Sequence, residues 1–281
     1  MNLRKPLSAL GAVALGMSLL TGCVAGSSSS NGSGDSSSST GGSVTIGIKF
    51  DQPGLGLKDG TTYKGFDVDV ARYVAKELGY TDVKFVETPS AQRETMIQSG
   101  QVKMIFATYS ITDARKEKVS FAGPYFVAGQ DLLVRSGTTD ITGPDSLNGK
   151  KLCSVTGSTS AQKVKDKFAN KVDLQEYDTY SKCVAALAAG TIDAVTTDDI
   201  ILAGFANQSQ YQGKLKVVGK PFTTERYGVG IKKGDTALAT KINAAITKMI
   251  SDGTWEKDLK ADAGDFSYNK ENNPPKATEG Q

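Results

Sequence analysis

Within eight residues the chain places three aliphatic hydroxyls and a guanidinium: Thr108, Ser110, Thr112 and Arg115. An apolar run, residues 102–107, leads into them and reads as a buried strand, so the hydroxyls emerge at a strand's end. Thr112 suits a helix N-cap, with Arg115 in the first turn of a short helix. Free backbone N–H groups at a helix start, beside a two-pronged guanidinium, suit a carboxylate. The same residues also suit plain structure: a strand, a capped helix and a surface arginine.

Most other chemistry is disfavoured by composition. The 281 residues contain no histidine, which removes the usual general base, the usual metal ligand and the usual hydrolytic triads. Carboxylate or lysine chemistry stays open. The net charge of +3 includes Arg4 and Lys5 of the first 22 residues, and without them 31 basic residues face 30 acidic ones. No basic excess points to nucleic acid. Gly54-Leu55-Gly56 is too short a glycine pattern for a phosphate loop.

The first 22 residues read as a targeting segment, with Arg4 and Lys5 ahead of a mostly apolar stretch, residues 7–20. No later run approaches the length of a membrane span. From Val24 to Ser43, fifteen of twenty residues are Ser or Gly, a flexible tether with a reach on the order of 25 Å. Residues 270–281 contain Asn272-Asn273-Pro274-Pro275 and no apolar periodicity, and read as a disordered tail.

Between tether and tail, strands and helices alternate in two passes. Residues 44–49 alternate as a strand; Phe66, Val70, Val74 and Leu78 recur every four residues, a helix capped early by Asp67 and stopped by Gly79. Residues 83–86 are a strand, and Ser90 caps a helix over 91–99 that stops at Gly100. The second pass runs strand 152–155, helix 161–168, strand 174–177, a helix over 182–189 capped by Ser181, and strand 194–197 before Asp198-Asp199. Residues 227–231 read as a strand, residues 236–251 as an amphipathic helix, and Trp255 and Leu259 as the packed face of a last helix. Such alternation gives an α/β fold with parallel sheets, whose ligands sit at the strands' carboxyl ends. Two such lobes face to face make a cleft.

Two motifs carry a family resemblance. Ser110 to Tyr125 reads S-I-T-x-x-R-x-x-x-V-x-F-x-x-P-Y, and residues 65–71 read Gly-Phe-Asp-Val-Asp-Val-Ala, about 45 residues upstream. In this order they resemble the signatures of the amino-acid-binding proteins of ABC importers, over roughly residues 44–265, and in particular the glutamate-binding lipoproteins. Leu20-Thr21-Gly22-Cys23 resembles a lipobox, with Cys23 as the acylated residue of an anchor on the outer face of the cell membrane. Cys153 and Cys183 then form an even pair in an exported protein, pointing to a disulfide, with two buried thiols as the alternative.

The resemblance implies a two-lobed periplasmic-binding-protein-like fold of type II with two hinge strands and the ligand in the interlobe cleft. Residues 44–136 and 220–269 form the first lobe, residues 137–219 an inserted second lobe, and residues 129–136 and 220–227 the hinges. It implies that Arg115 clamps a ligand α-carboxylate, with the Ser110 backbone, and that the Thr108 carbonyl and Ser110 hydroxyl receive the ammonium. Thr159, at a helix start in the opposite lobe, closes over the carboxylate. Asp198 binds the ammonium, with Asp199 as competitor. Lys49 and Arg93 face the distal carboxylate of an acidic amino acid, most simply L-glutamate, and Asp67 and Asp69 stay outside the site. Glutamine or another polar amino acid is the near alternative. A cyclohexadienyl dehydratase on the same fold, or a sensory lipoprotein, is the distant one. No catalysis, cofactor or metal is implied; the expected partner is an ABC permease, and the protein a monomer.

Overall fold

Val44, Ile46 and Ile48 alternate along β1 (Ser43–Ile48) and are buried, as a strand packed on a core requires. This is the first element of a computed structural model that describes residues 41–168, 172–264 and 266–280. The expected targeting segment, Cys23 and most of the expected tether lie outside the described residues. A small meander follows, β2 (Asp51–Gln52), β3 (Gly56–Asp59) and β4 (Thr62–Lys64), and then α1 (Phe66–Glu77), β5 (Asp82–Glu87), α2 (Arg93–Gln98) and β6 (Met104–Phe106). The short helix α3 (Asp113–Lys116) precedes β7 (Ser120–Ala128).

From Gly129 the chain enters a second unit: β8 (Gln130–Arg135), β9 (Lys151–Val155), α4 (Thr159–Phe168), β10 (Asp173–Tyr177), α5 (Tyr180–Ala188), β11 (Ala194–Asp198), α6 (Asp199–Ala206) and β12 (Leu215–Val217). It returns through β13 (Glu225–Ile231) and ends in α7 (Thr236–Ser251) and α8 (Thr254–Ala263). The first sheet has the order β5-β1-β6-β13-β7 and the second β10-β9-β11-β8-β12. In each, three parallel strands are joined by an antiparallel strand at a crossing, β13 in one and β8 in the other. The architecture is the expected two-lobed α/β fold.

The register explains where polar residues gather. Ile48 lies beside Phe106, so Lys49 and Thr108 leave adjacent parallel strands at the same end. In the second sheet Val195 lies beside Cys153, which brings the turn after β9 and Asp198 at the end of β11 to one edge. Cys153 and Cys183 are joined in a disulfide between β9 and α5, Cα atoms 5.6 Å apart.

Several local expectations are corrected. Gln130–Arg135 pairs with β11 and β12 and belongs to the second sheet, not to the first lobe through residue 136. The crossing is compressed to Gly129, where a side chain would meet Pro221 Cβ at 2.6 Å. Ser90 opens a 3-10 turn and caps nothing, and α5 starts at Tyr180, ahead of Ser181. Residues 270–280 are not a loose tail. Asn273 is buried and pairs with both backbone groups of Val127, its Oδ1 accepting from N at 2.9 Å and its Nδ2 donating to O at 2.8 Å. Glu279 bridges Lys116 and Arg226. A short amide side chain can replace a strand's hydrogen bonds, and no apolar period announces that.

Candidate functional site

Thr108 is the one non-glycine residue at positive φ among those described, at 44°. Such a conformation persists where the surroundings fix it. Asp67 accepts from the Thr108 N–H at 2.9 Å, and Gln52 Oε1 accepts from its hydroxyl at 3.2 Å. The turn throws Tyr109 inward as a shelf for two guanidiniums, with Arg93 Cζ 4.3 Å and Arg115 Cζ 5.0 Å from its ring centroid. Thr112 caps α3 as expected, accepting from the Arg115 N–H.

Arg115 Nη1 donates to the Ser110 carbonyl at 2.7 Å, and Nη2 to the Gly157 carbonyl of the second lobe at 3.0 Å. Arg93 donates to the carbonyls of Ala107, Thr108 and Gly157. Lys49 donates to the Ser90 hydroxyl at 2.8 Å, and Arg93 Nε to the carbonyl of the same serine. Lys49, Arg93 and Arg115 therefore form a row along the first lobe. Lys49 is 5% exposed and Arg93 2%, and among the described residues neither forms an ion pair. Burial, reinforced by Arg93, pushes the Lys49 ammonium down to about 7. Burial and then Arg93 push the Arg115 guanidinium down to about 10.

The second lobe answers with Gly157, Thr159 and Asp198. Thr159 Oγ1 is 3.5 Å from Ser110 Oγ across the cleft. Asp198 Oδ2 accepts from Tyr227 Oη at 2.6 Å, whereas Oδ1 is buried without a partner. Burial first, and then the neighbouring Glu225, push the Asp198 carboxyl well above the usual range. Its competitor Asp199 is occupied elsewhere, accepting from the N–H groups of Gly129 and Ile200. Between the lobes Arg93, Thr108, Ser158, Thr159 and Asp198 line a cavity of about 10 Å³, about the room of one water. A groove of about 340 Å³ opens beyond Arg115 and Thr159. A ligand larger than water can enter only if the lobes part.

Of the seven predicted residues, Arg93, Thr108, Thr159 and Asp198 line the small cavity and Arg115 the groove beside it, while Lys49 and Ser110 reach the same place through Ser90 and Thr159. The sequence reasoning missed others. Asp67 stands in the first turn of α1 as expected, but its carboxylate is buried, bound by the Thr108 N–H and by Tyr125 Oη at 2.7 Å. Burial raises it to about 6, against those two bonds. The spacing Asp67, Ala71, Val74 on the buried face of α1 was the available signal. Ser90, Glu225 and Tyr227 had none.

The family model of bacterial extracellular solute-binding proteins, family 3, matches residues 44–261. The chain is 47% identical to the glutamate-binding protein GluB of Corynebacterium glutamicum, over 95% of this chain and 92% of that one. It is 39% identical to the ABC transporter glutamine-binding protein GlnH of Bacillus subtilis, over 77% of this chain and 80% of that one. Among solved structures, an ancestral arginine-binding protein bound to arginine superposes with a TM-score of 0.74 at 35% identity, covering 79% of this chain and 99% of that one.

Proposed function

Because this chain belongs to the bacterial extracellular solute-binding proteins of family 3, we propose that it captures an acidic amino acid, L-glutamate, and hands it to an ABC permease without transforming it. The observation that carries the reading is the pair Lys49 and Arg93, two buried cations holding only neutral oxygens. A buried charge without a counter-charge is costly, and a carboxylate arriving beside it relieves that cost where an amide does not. Arg115 holds the α-carboxylate with the Ser110 backbone, and Thr159 closes over it. The Thr108 carbonyl, the Ser110 hydroxyl and the free oxygen of Asp198 take the ammonium, leaving Lys49 and Arg93 for the distal carboxylate. Residues 137–219 supply most of the closing lobe. The protein works as a monomer held to the outer face of the membrane through Cys23.

Calorimetric titration of the ligand-stripped chain, lacking its first 22 residues, tests the reading. L-glutamate should bind at least about 100-fold more tightly than L-glutamine, a difference of ~2.7 kcal/mol. Tighter binding of glutamine would leave the Arg115–Asp198 clamp in place and refute the role of Lys49 and Arg93.

A further inference from the structure

The returning hinge strand β13 presents alternate residues to the second lobe. Glu225 and Tyr227 share one face, while Arg226 between them turns outward to Glu279. Tyr227 donates to Asp198, and Glu225 is ion-paired with Lys163 of α4. Both partners belong to the second lobe, so both contacts bridge the cleft. The Glu225 side chain is only 2% exposed, against 32% for Lys163, which removes the pair from the weak class of surface bridges. Thr223 Oγ1 donates to the same carboxylate at 2.9 Å, and Lys163, with the nearby Ser110 and Thr223 hydroxyls, lowers its pKa against burial. Glu225 therefore stands beside the hydroxyl assigned to the ligand ammonium.

We propose that Lys163 and Glu225 are positioning residues of the capture site, a cross-lobe pair that forms on closure and sets the charge of Asp198 for the incoming ammonium. The inference rests on the reading of Asp198 as the ammonium partner. In the closed cleft the carboxyls of Asp198 and Glu225 lie near Lys163, which is ion-paired with Glu225, while the opposite wall gathers Lys49, Arg93 and Arg115. An acidic amino acid supplies an ammonium for the former wall and carboxylates for the latter. Closure is then favoured when the ligand brings both.

The groups facing Asp198 are Glu225 and Tyr227 from β13, Asp199 at the start of α6, Lys163 from α4, Tyr180 from α5 and Arg93 across the cavity. After burial, Glu225 does most to discourage ionisation of Asp198, whereas Tyr227 and Lys163 favour it. Ammonium capture needs the ionised carboxyl, so affinity falls as pH drops through its range. Removing the Glu225 charge moves that fall to lower pH. Removing the Lys163 charge moves it to higher pH.

Glutamate affinity measured by calorimetry from pH 5 to 8.5 separates the possibilities. Glu225→Gln should shift the acid limb down by about one pH unit, and Lys163→Met should shift it up by a similar amount. Lys163→Arg should restore the original profile. If Glu225→Gln does not fold, Lys163→Met, at a partly exposed helix position, carries the test with its Arg rescue. Equal losses at every pH, with the limb unmoved, would mean a simple tie between lobes and overturn the proposal. Asp198→Asn distinguishes the two layers: retained glutamate affinity there overturns the ammonium assignment and the proposal with it. Lost affinity in Asp198→Asn with unmoved limbs in the other variants overturns the proposal alone.

Discussion

The two walls of the cleft are held in different ways. On the first lobe Arg93 and Arg115 are fixed largely by their own lobe, through the carbonyls of Ala107, Thr108 and Ser110 and the ring of Tyr109. On the second lobe Asp198 has one oxygen held by Tyr227 of the first sheet and one oxygen free, and the Gly157 carbonyl is spent on the opposite guanidiniums. A wall that is complete by itself can receive a ligand first; a wall that needs the other lobe completes the site on closure. We propose that the order of events follows from these hydrogen bonds.

The largest effect should come from removing the organiser of the prearranged wall. Arg115→Ala should weaken glutamate by about 2–5 kcal/mol, because it removes one partner of a buried, hydrogen-bonded charge pair. Arg115→Lys should fall between, since an ammonium keeps the charge and loses the fork. Calorimetry reads both. Retained affinity in the alanine variant would move the carboxylate elsewhere and erase the contrast between the walls.

A smaller effect should follow from blocking the closing wall while sparing the first. Gly157 has φ of +79°, and a Cβ there would meet Ala91 Cα of the opposite lobe at 2.7 Å. Gly190 has nearly the same φ, +78°, with nothing within 4 Å. Both Gly→Ala changes carry the left-handed penalty, roughly 1–2 kcal/mol of stability. Only Gly157→Ala should also lose glutamate affinity, by about tenfold, with a faster dissociation rate. Equal affinities in the two variants would mean that the Gly157 turn does not have to approach residues 90 and 91 for capture.

What could be read from the sequence divides along the same line. Residues of the prearranged wall sit in contiguous stretches with strong local grammar, such as the strand, turn and capped helix around Thr108 to Arg115, and these were legible. The periodicity of α1 and α7 and the twin strand–helix passes gave the fold class. Residues that act through contacts distant in sequence were silent. Asp67 looks like a helix-start carboxylate because its partner, the Thr108 N–H, is 41 residues away. Glu225 looks like a hinge residue because Lys163 is 62 residues away. Asn273 substitutes for a strand by side-chain bonding alone, which carries no periodic signal at all. The crossing at Gly129 was blurred for a related reason, since the apolar centre of β8, Leu132 to Val134, would be buried in either sheet.

The finest test of the contrast concerns protons. Burial and then Arg93 disfavour the charge of Lys49 and push its ammonium down to about 7, against a usual 10.5. Between those values the unfolded chain binds more protons than the folded one, so this group makes stability rise with pH across that window and contributes no slope below it. A distal carboxylate beside Lys49 restores the charge and raises its pKa. Glutamate binding at pH 8 should therefore take up a proton, approaching one per site, and affinity should decline as pH rises above about 7. Calorimetry at pH 8 in two buffers of different ionisation enthalpy measures the uptake directly. Lys49→Met should abolish it, and L-glutamine, with no distal charge, should produce much less in the unaltered chain. Asp198 on the closing wall titrates in the opposite sense, losing affinity as pH falls, so the two walls should bound glutamate capture from opposite sides of neutrality. Uptake unchanged in Lys49→Met would place the distal carboxylate away from Lys49 and leave Arg93 as the sole cation able to read it.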